Sequence, residues 1–236
     1  MSNLSNDIDN FKKKYRKIFL NSSELISEKI EKIKPHAACS SCTKNCEKET
    51  ELFEEFPQNC EYKKWQREVI NLFDNEIMPY VHENWTKMYE YRDNFGCNGC
   101  ATCCRLACSE FSPSELQEKA SKGDNFATQF VSVFIPYESE DEARKIYPEY
   151  FELLSEKMEN ENVYFYHCPK LTQNSRCSDY ENRPKICRDF PDNPLSILPK
   201  SCAFSPWKKE VEPTALELHA TLEIVDFYKS KIQLSD

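Results

Sequence analysis

The chain has 236 residues, enough for one sizeable domain or two small ones. Its formal net charge of -9 argues against binding of a nucleic-acid backbone as the main activity. It contains no apolar run of about eighteen residues, so we expect no membrane span. The N-terminus matches neither a signal peptide nor a lipidation motif, and we therefore expect a cytoplasmic protein.

Cysteine and glycine are the most informative residues, with 13 and 3 copies. The three glycines cannot form a G-x-G-x-x-G loop, a Walker loop or a nucleophile elbow, which excludes Rossmann enzymes, P-loop NTPases and typical hydrolases. An odd number of cysteines without a secretory signal favours reduced thiols that can bind metal. Because no side-chain catalytic constellation is visible, a metal centre would carry any reaction, and whether the protein is an enzyme stays open.

The first segment, residues 1–35, is predicted to be a helical arm that ends at Pro35. Phe11, Tyr15 and Ile18 recur at helical spacing within one or two helices. Residues 1–34 contain eight Lys or Arg against five Asp or Glu, a net charge of +3. Such an arm can dock a protein partner, but we favour the commoner use of this pattern, a solvated helix packed on its own domain.

The second segment, residues 36–92, begins with four cysteines and continues as a helix. Cys39, Cys42, Cys46 and Cys60 can hold one zinc or one iron-sulfur cluster, with His36 as a substitute ligand. The alternative is four structural cysteines. The following helix, Glu61 to Tyr91, is predicted to break near Pro79.

The third segment, residues 93–212, is the expected metal-binding domain. A capping box at Ser112 and Glu115 predicts a helix from Pro113 to Lys122. The spacing of Phe126, Phe130 and Phe134 favours another helix, although the intervening β-branched residues would suit a strand. A helix over residues 141–160 and a short strand over residues 163–166 follow.

The segment from Pro169 to Pro213 contains seven of the thirteen prolines, so we expect no regular structure there. A last helix, capped by Thr214 and Glu217, forms the C-terminal segment, residues 213–236. The predicted fold is mainly α-helical, with irregular Cys- and Pro-rich segments held by metal and at most a short strand or two.

The segment from Cys97 to Cys104 has the pattern C-x2-C-x2-C-C. Gaps of two residues let successive thiolates surround one metal centre while the intervening amides point at the sulfurs. Gly96 and Gly99 fit a tight loop that requires a positive φ or a close backbone approach. Side chains of the adjacent Cys103 and Cys104 point in different directions in most backbone conformations, so one can serve a second centre. The spacing predicts a metal but leaves zinc and a [4Fe-4S] cluster both open.

Four ordered motifs carry a family resemblance over residues 95–205: the C-x2-C-x2-C-C pattern, Cys168-Pro169, Cys177-Ser178-Asp179-Tyr180 and Cys187-Arg188-Asp189-Phe190-Pro191, with a later Cys202. This order resembles the zinc- or iron-chelating cysteine-cluster family, the YkgJ-like CxxCxxCC proteins. The resemblance implies metal binding, often described as iron-sulfur oxidoreductase activity, and it implies no substrate. It also implies the ligand set Cys97, Cys100, Cys103, Cys104, Cys168, Cys177, Cys187 and Cys202, with Cys108 as an extra ligand or a buried thiol.

Four arginines near these motifs, Arg105, Arg176, Arg183 and Arg188, can offset the negative charge of a thiolate centre. We favour Arg188 among them, although an ordinary surface charge is the commoner role. His167, beside Cys168, is expected to be either a substitute ligand or a residue that supports a neighbouring ligand. His82 and His219 are expected to be structural.

Three functions remain open. An iron-sulfur protein with a redox or electron-transfer role is the first, and a zinc-stapled interaction module without catalytic activity is the second. A thiol-based redox or metal-chaperone role is the third, and it requires exposed cysteines of low pKa.

Overall fold

The computed structural model describes residues 2–35, 51–157 and 162–233. Within these ranges the chain is mainly α-helical and has a small sheet of three short strands, which confirms the predicted fold class. The chain divides into two compact units. We call Tyr91–Glu210, grouped with Met1–Leu4, the cysteine unit, and Ser5–Glu90 with Val211–Asp236 the helical unit. No helix in the described ranges combines the length and apolarity needed to cross a membrane. The segment boundaries at residues 35, 92 and 212 stay predictions.

The helical unit is built from long helices: most of α1 (Ser2–Lys32), α2 (Glu61–Leu72), most of α3 (Met78–Arg92) and α10 (Ser205–Gln233) from Val211 onwards. Its core includes Ile26 and Ile30 of α1 and Trp65 of α2, all at most 5% exposed. The indole Nε1 of Trp65 donates a hydrogen bond to the carbonyl of Ile30 at 3.2 Å. Apolar residues at helical spacing therefore form a core, as expected.

Helix α1 packs within the helical unit through polar contacts as well as its apolar stripe. The Tyr15 hydroxyl donates to Glu223 Oε2 at 2.7 Å and lies 2.9 Å from His219 Nδ1. Lys14 Nζ lies 3.9 Å from Glu212 Oε2. These contacts agree with a solvated amphipathic helix packed on its own unit, the interpretation that we favoured.

Three predicted helix boundaries are wrong, and prolines explain each difference. The helix that begins at Glu61 widens into a π-helix over Phe73–Ile77 and continues through Pro79 to Arg92. A carbonyl in a π turn bonds to the amide five residues on, so the donor that proline lacks is not needed.

The predicted helix over residues 141–160 is two helices, α7 (Glu140–Ile146) and α8 (Pro148–Lys157). Pro148 disfavours helical geometry at the preceding residue, and Tyr147 has φ -154°. Helix α10 begins at Ser205, not at Thr214, and contains Pro213. Pro206 lies in its first turn, where a missing amide donor costs nothing.

The remaining elements belong to the cysteine unit. They are the helices α4 (Thr102–Arg105), α5 (Pro113–Ser121), α6 (Asn125–Val133) and α9 (Lys185–Asp189), and the strands β1 (Ala107–Ser109), β2 (Ile135–Pro136) and β3 (Tyr164–His167). Helix α5 has the predicted capping box, and α6 and β3 confirm the predicted helix and strand. The antiparallel sheet has the order β1-β3-β2.

Strand β3 separates two small cores of the cysteine unit. Phe165 packs with Leu106, Phe151 and Leu154, whereas Tyr166 packs with Phe130 and Leu116. Successive side chains of a strand point to opposite faces, so each core receives one aromatic ring. Cys168 is the residue that follows β3, and these two cores fix the end of the strand from which it extends.

Candidate metal centre

A cavity of about 380 Å³ lies in the cysteine unit. Nine of its lining residues are cysteines: Cys97, Cys100, Cys103, Cys104, Cys108, Cys168, Cys177, Cys187 and Cys202. Eight of them are the residues that the family resemblance implies as ligands, and the ninth is Cys108. The described cysteines are all free thiols. The structure therefore brings these eight candidate residues around one space, although they span more than a hundred residues of sequence.

The loop from Cys97 to Ala101 leads into α4 through two left-handed backbone conformations. Gly99 has φ +73° and Ala101 has φ +62°. Glycine adopts this region without steric cost, so the expected need for glycine holds at Gly99. It does not hold at Gly96, whose φ is outside this region and where an added Cβ would meet no atom within 4 Å.

Four of the cysteine sulfurs accept hydrogen bonds from the backbone amide two residues further along the chain. The Gly99 amide donates to Cys97 Sγ at 3.4 Å. The amides of Thr102, Lys170 and Phe204 donate in the same way to Cys100, Cys168 and Cys202. Amide donors of this kind stabilise the charged form of a thiol, the form that binds metal.

The sheet and a small hairpin position Cys168 and Cys177. The Cys168 amide donates to the carbonyl of Cys104 at 2.7 Å, which joins the end of β3 to α4. Beyond it the chain turns back on itself, since Leu171 and Cys177 form an antiparallel bridge. The Ser178 amide also donates to the carbonyl of Lys170 at 2.9 Å. Cys177 thus returns to the side of the cavity where Cys168 lies.

Two further contacts bring Cys187 and Cys202 to the cavity. Cys187 lies in α9, and the side-chain carbonyl of Gln129 in α6 accepts from the Ile186 amide at 3.1 Å. The side-chain amide of Asn98 donates to the carbonyl of Ser201 at 2.9 Å, next to Cys202. Asn98 also accepts from the Cys100 amide at 3.2 Å. Asn98 therefore links the first cysteine loop to the last cysteine.

Two pairs of thiols are in hydrogen-bond contact. Cys202 donates to Cys100, which lowers the pKa of Cys100 to about 5 and raises the pKa of Cys202. Cys103 donates to Cys104, which lowers the pKa of Cys104 to about 7, while the pKa of Cys103 rises. Cys103 and Cys104 contact each other and line the same cavity, and the division of the cysteines between one centre or two stays a prediction.

Positive charge reaches the cavity from Arg183 and Arg105. Both lower the pKa of Cys104, after the larger contribution of the Cys103 thiol. Arg105 also hydrogen-bonds to Ser175. Arg188, which the sequence interpretation favoured, is exposed and donates instead to the carbonyl of Arg183 at 2.6 Å. It therefore supports the chain around Arg183.

Burial has the opposite effect on two other thiols. It raises the pKa of Cys108 to about 11, and it is the largest cause that raises the pKa of Cys187 to about 11. Both thiols therefore keep their protons at neutral pH in the metal-free chain.

The chemistry of these donors fits a thiophilic metal, because thiolate sulfur is the preferred protein ligand of zinc and of iron-sulfur clusters. In the described ranges, however, no three Cys, His, Asp or Glu side chains converge on a point that could hold one ion. The cysteines surround the cavity without closing on a single position in it.

The N-terminal cysteine set cannot be compared with the structure as a whole. His36, Cys39, Cys42 and Cys46 lie outside the described residues. Cys60 precedes α2 in the helical unit and is 1% exposed. His167 ends β3, and its ring centroid lies 4.9 Å from that of Tyr137.

Sequence reasoning missed several residues that shape the cavity. Thr102 donates hydrogen bonds to Cys100 from both its backbone and its side chain. Phe126 and Phe130 of α6, and Phe134 immediately after it, form part of an apolar wall. Their spacing correctly indicated a helix, but nothing local shows that this helix lies beside the cysteines.

Comparison with known proteins agrees with the donor set. Residues 96–203, just under half of the chain, match the family model CxxCxxCC, described as a "putative zinc- or iron-chelating domain". No match was found among curated proteins or among solved structures. The matched segment contains the eight cysteines that the resemblance named. Residues 96–203 are therefore similar to the CxxCxxCC family, whose domain is described as zinc- or iron-chelating.

Proposed function

We propose that the cysteine unit binds an iron-sulfur cluster of the [4Fe-4S] type and has a redox or electron-transfer role. The ligands would come from the eight family cysteines, Cys97, Cys100, Cys103, Cys104, Cys168, Cys177, Cys187 and Cys202. The observation that carries this proposal is the nine thiols around one cavity of about 380 Å³. A single zinc ion takes four thiolates at about 2.3 Å, so these thiols exceed the needs of one zinc site.

The chain itself supplies the surroundings that a redox cluster requires. Such a cluster, when bound, accepts and releases electrons at a potential set by its net charge, its solvent exposure and the hydrogen bonds to its sulfurs. Here the amides of Gly99, Thr102, Lys170 and Phe204 donate to cysteine sulfurs. The side chains of α6 that line the cavity are mainly apolar.

A zinc-stapled module is the second candidate, and the irregular chain between Cys168 and Cys202 favours it. The regular structure described there is limited to the five-residue helix α9 and one isolated bridge. Segments with so little regular structure need another source of stability, which closed zinc sites supply. Eight cysteines would complete two such sites, and neither site would do chemistry.

Anaerobic purification followed by metal analysis and visible spectroscopy tests the proposal. An iron-sulfur cluster should give broad absorbance at about 400 nm that bleaches with dithionite. A colourless protein that contains zinc would support the second candidate instead. A folded protein free of metal would refute both.

We extend the proposal to a second metal site formed by Cys39, Cys42, Cys46 and Cys60, with His36 as a substitute ligand. Four donors suffice for one zinc or one cluster. The Cys60→Ala variant should then lose one metal centre and keep the centre of the cysteine unit. The same metal content as in the wild type would leave Cys60 as a buried structural residue.

The basic part of α1 is the proposed contact for an acidic protein partner. Lys13, Arg16 and Lys17 have exposed side chains. Attraction of this kind is screened by salt. Poly-glutamate, used as a probe, should bind the full chain at low ionic strength and bind the Lys13→Glu/Lys17→Glu variant more weakly. Equal binding by both proteins would contradict this contact.

A further inference from the structure

Arg92 makes an unusual set of contacts in the cysteine unit. It ends α3, four residues before the segment that matches the family. Its Nη2 lies 3.0, 2.7 and 3.2 Å from the carbonyl oxygens of Arg188, Asp189 and Phe190. Its Nε donates to the carbonyl of Pro191 at 2.8 Å. One side chain thus holds the carbonyls of four successive residues that begin immediately after Cys187.

These carbonyls belong to the end of α9 and the turn that follows it. The last carbonyls of a helix have no partner inside the helix and need a donor from elsewhere. Arg92 supplies that donor, and its side chain is only 13% exposed. The direction in which α9 leaves the cavity, and with it the position of Cys187, therefore depends on this guanidinium.

Arg92 also contacts the chain beside Cys202. Its guanidinium carbon lies 4.9 Å from the centre of the Phe204 ring. The Phe204 amide is the donor to the Cys202 sulfur. The guanidinium therefore touches two segments at once, since its nitrogens reach the carbonyls of residues 188–191 and its central carbon lies over the ring of Phe204. These two segments carry Cys187 and Cys202.

We infer that Arg92 is a positioning residue of the metal site, which fixes the segments that carry Cys187 and Cys202 beside the cavity. This inference rests on the proposed metal-binding function. A lysine could keep the positive charge but could not replace the contacts, because its ammonium lacks the planar fork of donors and the stacking face. Supporting groups of this kind typically change metal affinity about 10- to 100-fold when they are lost.

The test compares Arg92→Lys with a matched control, Arg144→Lys, in the full chain. Arg144 also stacks on a phenylalanine, with its guanidinium carbon 4.5 Å from the Phe151 ring centre, and it pairs with Glu152. Neither Phe151 nor Glu152 is next to a cysteine in the sequence, and the cluster that contains Phe151 packs against Cys108, which is outside the eight family cysteines. Each protein is purified with its metal, and the rate of metal release to a chelator is measured together with the thermal midpoint.

We expect Arg92→Lys to release metal at least about tenfold faster than the wild type, while Arg144→Lys releases it at the wild-type rate. Release from Arg92→Lys at the wild-type rate would overturn the inference, whatever its thermal midpoint. Failure of Arg92→Lys to accumulate as folded protein would also count against it, because a purely structural role would explain that result. A wild-type protein without metal would instead refute the proposed function.

Discussion

The hydrogen bond between Cys202 and Cys100 leads to a quantitative prediction about thiol reactivity. Because Cys202 donates to its sulfur, Cys100 has a pKa lowered to about 5. Replacing Cys202 by alanine removes this donor, and the pKa of Cys100 should then rise. The assay is alkylation by iodoacetamide of the chain after anaerobic removal of metal, with the modified cysteines identified by mass spectrometry.

The size of the effect follows from two opposing factors. At about pH 6 a thiol with a pKa of about 5 is roughly 90% thiolate, whereas a free cysteine with a pKa of about 8.5 is roughly 0.3% thiolate, an advantage of about 300-fold. The lower pKa also weakens the nucleophile, by roughly 25- to 55-fold over this difference. Cys100 should therefore react roughly five to twelve times faster than the same cysteine in the unfolded chain.

The pH dependence gives the direction of a second check. Reactivity of Cys100 should be retained as the pH falls from about 7 to about 6 and should decline below about pH 5, where the thiolate takes up a proton. The Cys202→Ala variant should lose reactivity at about pH 6. If Cys100 reacts no faster in the folded chain than in urea, or if Cys202→Ala leaves its rate unchanged, the hydrogen-bonded pair does not control this thiol.

Four further predictions concern the ligands and the packing around them. Cys187→Ser should lose both metal and helical circular dichroism, and retention of both would remove Cys187 from the ligand set. Cys108→Ala should keep its metal because Cys108 lies outside the eight cysteines that the resemblance implies as ligands, so a lower metal content per chain would instead make Cys108 a ligand. Ser112→Ala removes the capping box of α5 and should cost about 1 kcal/mol in urea denaturation, which an unchanged midpoint would contradict. Leu116→Ala truncates a side chain that is 0% exposed and should cost about 2–5 kcal/mol by the same measurement, and a loss below about 1 kcal/mol would show that the core relaxes around it.

Much of the fold could be predicted from local patterns. The capping box at Ser112 and Glu115 correctly located α5, and the four-residue spacing of the phenylalanines correctly favoured a helix for α6. The predictions that failed lie at prolines. A helix ends just before Pro148, whereas two other helices continue through Pro79 and Pro213. Proline removes one donor, and whether a helix tolerates that loss depends on the hydrogen bonds and packing around it.

The candidate site, too, was predictable from the sequence in part only. Cysteine spacing and motif order alone indicated a metal-binding segment and named eight cysteines, because the two-residue gaps are a local property of the chain. Tertiary structure decided that these cysteines line one cavity and that Cys103 and Cys104 face it together. It likewise decided that Arg183 and Arg105 act on Cys104, whereas Arg188 donates to the carbonyl of Arg183. It also decided the roles of Asn98 and Arg92, whose hydrogen-bond partners lie 103 and up to 99 residues away in the chain. Partners so distant in sequence leave no periodic signal, since only folding brings them within hydrogen-bonding distance.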